Sequence, residues 1–280
     1  MRIHILHTGK VHVSPYLPYG GDDCSIIKAA GVFVPKKRWL WLPVSAYLIE
    51  HSKGLVLVDT GWERAMSPEG KYSLKAQIRS LGSLPLYLTN QGILPAGESV
   101  PEQLAKLGYK TSDIDYVLLT HLDCDHANGL SGVRDAKNFL VADDEFLGIR
   151  MNLTQRIRYQ VRWWKDIPLT RFSWNGTEGP AGKSFDLFDD GSLTMINIPG
   201  HSTGLCAVKV KNIESKYVLL FSDGGYSTRS WKEQILPGIS QDKTLQKMSL
   251  EWIREESLSP DCIASLANHD PDVNPHVIEL

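Results

Sequence analysis

Short apolar runs bounded by turn-forming or polar residues set the rhythm of this chain. Val-Ser-Ala-Tyr-Leu-Ile-Glu (44–50) and Leu-Val-Leu-Val-Asp (55–59) are joined by His-Ser-Lys-Gly. That pattern predicts a hairpin with Gly54 in its turn. Residues 101–108 begin with Pro and end with Gly, which predicts a short helix. Apolar runs at 115–120, 138–142, 193–198, 205–210, 217–222 and 262–267 read as buried strands, and a short helix is expected from Asp143. A longer helix is expected over 242–257, with Leu245, Met248, Trp252 and Ile253 as its core-facing stripe. Two stretches break the pattern, 63–100 and 150–185, and read as lids or insertions on one domain spanning 1–280.

The polar residues gather at the ends of these runs. Asp59, His121, His201, Asp223 and His269 each lie at, or just beyond, the C-terminal end of an apolar run. Strand ends can converge on one rim, where rigid elements hold chemistry and loops supply specificity. The densest cluster is Thr-His-Leu-Asp-Cys-Asp-His-Ala-Asn-Gly (120–129). It places His121, Asp123, Asp125 and His126 within six residues, directly after a strand. Buried charge is costly unless it is paired or coordinates a cation. Mixed nitrogen and oxygen donors suit zinc, manganese or iron. Two such cations close together would acidify a shared water and polarise a carbonyl at once.

Composition narrows the options. Hydrophobic residues make up 42% of the 280, enough for a sizeable core. The formal charge of −2 offers no basic excess for a nucleic-acid backbone. No apolar run is long enough to span a membrane or serve as a leader, so a cytoplasmic protein is expected. Cys24, Cys124, Cys206 and Cys262 are too sparse for a disulfide framework. His4, His7, His12, His51 and His276 have no partner cluster. Trp163 and Trp164, with Arg156, Arg158 and Arg162, could line an acyl-chain groove or pack on the core.

His-x-Asp-x-Asp-His at 121–126 resembles the His-x-His-x-Asp-His motif of the metallo-β-lactamase superfamily. Within it the chain resembles the N-acyl homoserine lactonases. The stretch 42–61 is similar to their N-terminal hairpin, and Pro-Gly-His-Ser-Thr-Gly (199–204), Ser-Asp-Gly-Gly-Tyr (222–226) and Asn-His-Asp (268–270) follow in the same order. The resemblance implies an αββα sandwich, two mixed β-sheets flanked by helices. It implies two divalent ions, zinc by family. One would take His121, Asp123 and His201, the other Asp125, His126 and His269, with Asp223 bridging them. Asp59 would orient a ligand, and Cys124 would point away from the metals as a small buried thiol.

The resemblance also implies a small-molecule substrate, an acyl lactone or related ester. Tyr226 stands three residues after Asp223, where the lactonases hold a Tyr that hydrogen-bonds the substrate carbonyl. Taken by itself, Tyr226 fits an ordinary loop tyrosine equally well. Asp125 would also pass a proton to the leaving alkoxide. The departure is Asp123, where the pattern has His; an anionic oxygen donor leans the site towards manganese or iron. Hydrolysis of another ester, a thioester or a phosphodiester stays open, as does a non-haem diiron redox role.

Overall fold

A computed structural model describes residues 1–150 and 153–280. The first sheet contains β1 (Arg2–Val13), β2 (Leu40–His51), β3 (Gly54–Val58), β4 (Gln91–Ile93), β5 (Tyr116–Leu118), β6 (Asn138–Ala142) and β7 (Leu169–Phe172). The second contains β8 (Ser184–Asp186), β9 (Leu193–Asn197), β10 (Cys206–Lys211), β11 (Tyr217–Ser222) and β12 (Cys262–Ala267). The last strand, β13 (Val277–Glu279), returns to the first sheet, whose order is β13-β1-β2-β3-β5-β6-β7 with β4 paired to β1. Both sheets are mixed. β3, β5, β6 and β7 run parallel, β2 and β3 form the expected antiparallel hairpin, and β11 pairs parallel with β12.

The strands read as continuous apolar runs because both of their faces are covered. In β11, Val218 and Leu220 face the other sheet, while Tyr217, Leu219 and Phe221 pack towards Trp231, Leu250 and Ile253. In β2, Tyr47 and Ile49 join the layer between the sheets, and Val44, Ala46 and Leu48 join the outer layer with Leu81, Leu104 and Trp163. Two sheets with a helical layer on each side make the expected αββα sandwich. Gly54 opens β3 at φ 148, and a Cβ there would press on the Asp115 carboxylate at 2.8 Å.

Two expectations need correction or addition. The helix at Lys243–Leu258 forms, but its buried face is Gln246, Ser249, Leu250 and Ile253, while Leu245 is exposed. The two polar residues are buried because loop carbonyls need donors: Gln246 Nε2 donates to Gly224 O at 2.7 Å and Ser249 Oγ to Pro199 O at 2.7 Å. The pattern of apolar runs also misses β1. His4, His7 and Lys10 interrupt it, yet His4 is buried against Glu50 at 2.8 Å and a bulge lies between His7 and Lys10. The stretch 63–100 carries the helices Leu74–Leu81 and Leu84–Thr89 together with β4, and 150–185 carries the helix Leu153–Arg158 and β7.

Candidate metal centre

The parallel strands of the two sheets end on one rim. Asp59 follows β3 in a left-handed turn at φ 59, and residues 121–126 follow β5. His201 follows β9, Asp223 follows β11 and His269 follows β12. Gly200 lets the His201 loop lie on the long helix: its φ is 137, and a Cβ would meet Gln246 backbone at 2.3 Å. The structure brings together all seven side chains singled out by the sequence. Six are buried, and Asp123 is partly exposed.

Neighbouring groups fix how the imidazoles point. The Nδ1–H of His126 donates to Asp59 Oδ2 at 2.8 Å, and that of His269 to Pro43 O at 2.8 Å. Their Nε2 lone pairs are therefore turned into the site. Asp59 is held in turn by Thr120 N, Thr120 Oγ1 and Asn268 Nδ2.

The donor spacing fits a cation. Two ligands about 2.1 Å from a tetrahedral ion lie roughly 3.4 Å apart. His126 Nε2 is 3.3 Å from Asp223 Oδ1, and His269 Nε2 is 3.4 Å from Asp223 Oδ1 and 3.5 Å from Asp125 Oδ2. Among the described residues, His126 Nε2, His121 Nε2 and Asp223 Oδ1 are buried with no well-aligned hydrogen-bond partner. Unsatisfied buried donors and acceptors of this kind are what a metal ion would satisfy. Burial alone would strip protons from His126 and His269. Instead Asp59 and Asp223 hold His126 well above the usual imidazole value, and Asp223 holds His269 above it. The same negative field would hold a cation. The set Asp125, His126, His269 and Asp223 therefore fits one divalent ion.

The other half of the site is arranged differently. His121, Asp123 and His201 do converge, with His121 Nε2 3.4 Å and His201 Nε2 2.9 Å from Asp123 Oδ2. The guanidinium of Arg158, at the end of the helix Leu153–Arg158, lies among them. Its Nε donates to Asp123 Oδ1 at 2.5 Å, and its Nη2 to Asp123 Oδ2 at 2.6 Å and His201 Nε2 at 2.7 Å. Burial would raise the Asp123 pKa, but Arg158, with His121 and His201, holds it well below the carboxylate range.

The metallo-beta-lactamase superfamily model matches residues 39–212, which is more than half of the chain. The chain belongs to the metallo-β-lactamase superfamily. It is 26% identical over 244 residues to the N-acyl homoserine lactonase AttM of Rhizobium radiobacter, covering 82% of this chain and 83% of that one. It is 24% identical over 224 residues to the N-acyl homoserine lactonase of Bacillus cereus, covering 76% of each. A solved N-acyl homoserine lactone hydrolase, with N-hexanoyl-L-homoserine at its catalytic metal centre, shares the fold at TM-score 0.72 and 19% identity, over 97% of this chain and 94% of that one. The chain is thus a metal-dependent hydrolase of this superfamily. Among the described residues, no helix is long and apolar enough to cross a membrane.

In this superfamily member Tyr226 is buried, with its ring stacked on His269 at 5.2 Å and edge-on to His201 at 6.4 Å. Burial, then Asp223, Asp125 and Asp123, keeps its phenol protonated, well above the usual range. Cys124 is a buried thiol, its Sγ 3.7 Å from Asp125 Oδ1, in none of the candidate metal groups. Trp163 and Trp164 are core residues, and Trp163 Nε1 donates to Ser80 O at 3.0 Å. Arg162 is tied to Arg79 O at 2.6 Å, while the side chain of Arg156 lies outside the described residues. A cavity of about 610 Å³ beside them is lined by residues such as Glu63, Lys75, Arg79 and Asn128, and no candidate metal ligand lines it.

Arg158, expected from sequence only beside Trp163 and Trp164 in a groove or on the core, instead lies on Asp123 and His201, and Glu145 gave no signal at all. Glu145 is a buried carboxylate that accepts from Leu122 N at 3.3 Å, Tyr159 OH at 3.0 Å, Ser202 Oγ at 2.7 Å and Gly204 N at 2.9 Å. It ties the 121–126 loop to the His201 loop. A charged residue opening a helix gives no sign in sequence of which distant loops it anchors.

Proposed function

We propose that this hydrolase opens the lactone ring of N-acyl homoserine lactones. The observation that carries the reading is Tyr226, a neutral phenol three residues beyond Asp223, stacked on one candidate ligand and edge-on to another. The activity named for the AttM and Bacillus cereus relatives supports it. In this reading Asp125, His126, His269 and Asp223 hold a divalent ion. Two imidazole nitrogens and carboxylate oxygens suit zinc first, with manganese and iron within the same donor chemistry. When bound, such an ion supplies an acidified water and a polarised carbonyl.

The chain's own residues do the rest. Asp59 and the Pro43 carbonyl keep His126 and His269 aimed, so that their lone pairs need no reorganisation. The Tyr226 hydroxyl donates to the substrate carbonyl oxygen as negative charge develops there. Asp125 takes the proton that the attacking water sheds and passes it to the ring oxygen as the C–O bond breaks. The products are a free carboxylate and an alcohol within one opened molecule. Asp223 faces both halves of the site, its Oδ1 towards His126 and His269 and its Oδ2 3.6 Å from His201 Nε2.

Tyr226→Phe tests the reading. Losing one oxyanion donor lowers lactone turnover by about tenfold or more and leaves metal content unchanged. A variant that opens lactones as fast as the parent would make Tyr226 a packing residue and remove the observation on which the lactone assignment rests.

A further inference from the structure

The geometry points to Arg158 as a built-in cation that fills one half of the metal centre, so that the chain holds one ion tightly rather than two. This rests on the metal-centre reading above. The guanidinium makes four contacts, both oxygens of Asp123, His201 Nε2, and His201 O at 3.0 Å. The fork on Asp123 is bidentate, the strongest form of carboxylate–guanidinium pairing. Arg158 is only 18% exposed in its side chain, and Asp123 16%, so the pair is not a loose surface contact.

His201 Nε2 is engaged in either tautomer: as an acceptor it takes Arg158 Nη2 at 2.7 Å, and as a donor it serves Asp123 Oδ2 at 2.9 Å. Each oxygen of Asp123 accepts from Arg158, and the positive guanidinium beside them repels a cation from their remaining lone pairs. Of the three donors that converge on this half-site, only His121 Nε2 has no well-aligned partner. One imidazole, with a share of Asp223, is too small a set for an ion that takes four ligands. His121 also falls into a second candidate group with His126 and Asp223, so its free nitrogen can turn to the neighbouring ion.

The same geometry accounts for Asp where the superfamily motif has His. A neutral imidazole at position 123 would offer one lone pair and no charge to Arg158. A carboxylate offers two acceptors and the opposite charge, and together the pair is neutral. A second ion can enter only by displacing the guanidinium from both Asp123 and His201.

Metal binding to the full chain tests this. Apoprotein is equilibrated with zinc, and separately with manganese, over a range of free metal set by a chelator buffer, and bound metal is counted. The expected result is one tight ion per chain, with the second at least about 100-fold weaker. Arg158→Ala and Arg158→Gln should each bring the second affinity to within about tenfold of the first. Manganese-loaded parent should give the six-line resonance of an isolated ion, and the variants the broadened resonance of a coupled pair. A parent that takes two ions with similar affinities overturns the inference without any variant. So do folded variants that still bind one ion. A parent that binds none removes the metal centre altogether. Absence of lactone activity alone would leave the stoichiometry intact, and so separates the failure of the substrate reading from the failure of this one.

Discussion

A single carboxylate, Asp59, receives His126 Nδ1, Thr120 N, Thr120 Oγ1 and Asn268 Nδ2. Replacing one oxygen by an amide nitrogen sets a donor against these donors. Asp59→Asn is therefore expected to weaken metal binding by about 10–100-fold while the fold persists. Competition with a chromophoric chelator measures this, and an affinity within twofold of the parent would contradict it. Glu145→Gln makes the same kind of conflict between the two ligand-bearing loops. Leaving one buried group unpaired costs about 1–3 kcal/mol, so the midpoint of thermal unfolding should fall by several degrees. An unchanged melting curve would show that those loops do not depend on it. At this scale the sequence revealed donors better than partners. His121, Asp125, His126, His201, Asp223 and His269 stand out because metal-capable residues crowd at strand ends. Arg158 does not, because nothing in its neighbourhood says that its partner is 35 residues away.

Elements were legible where apolar runs are continuous. β6 and β11 are found at their expected limits because both faces of these strands are buried, and β12 is found at its limits although only Leu266 and Ala267 at its end are buried. The face of the long helix was not legible, because Gln246 and Ser249 are buried for their hydrogen bonds and not for their hydrophobicity. A similar polar anchor joins the helix Val100–Lys106 to the 63–100 stretch. Arg64 donates to Leu94 O, Pro95 O and Glu102 Oε2. Against burial, which would raise it, hydrogen bonds from Arg64 and Ser99 hold the Glu102 carboxyl down at about 2, from an ordinary 4.5. A depressed carboxyl contributes stability that is present above its unfolded value and lost as pH falls towards its folded one. The contribution should fade between about pH 4.5 and 2. Glu102 is 38% exposed, so solvent screening keeps the effect to about 1 kcal/mol at most. Glu102→Gln should flatten that part of the stability–pH curve, and denaturant titrations at pH 3 and pH 6 check it.

On the scale of the whole molecule, the sandwich exists to bring the ends of two sheets to one rim. β3 and β5 supply Asp59 and the 121–126 loop from one sheet, and β9, β11 and β12 supply His201, Asp223 and His269 from the other. An ion bound there ties the sheets together and binds only the folded state. Metal at about 100 times its dissociation constant should add about 2.7 kcal/mol of stability, read as a melting point that rises with free metal. The reaction proposed for this rim is lactone opening by a metal-dependent centre. It is tested most directly by the initial rate of proton release from N-hexanoyl homoserine lactone, with metal-stripped and zinc- or manganese-reconstituted enzyme, beside a thioester and a phosphodiester. Ring opening by the reconstituted enzyme, none by the stripped one, and slower cleavage of the other two substrates are expected. A rate indifferent to metal, or a reconstituted enzyme that leaves the lactone closed while cleaving the thioester or the phosphodiester, would contradict it.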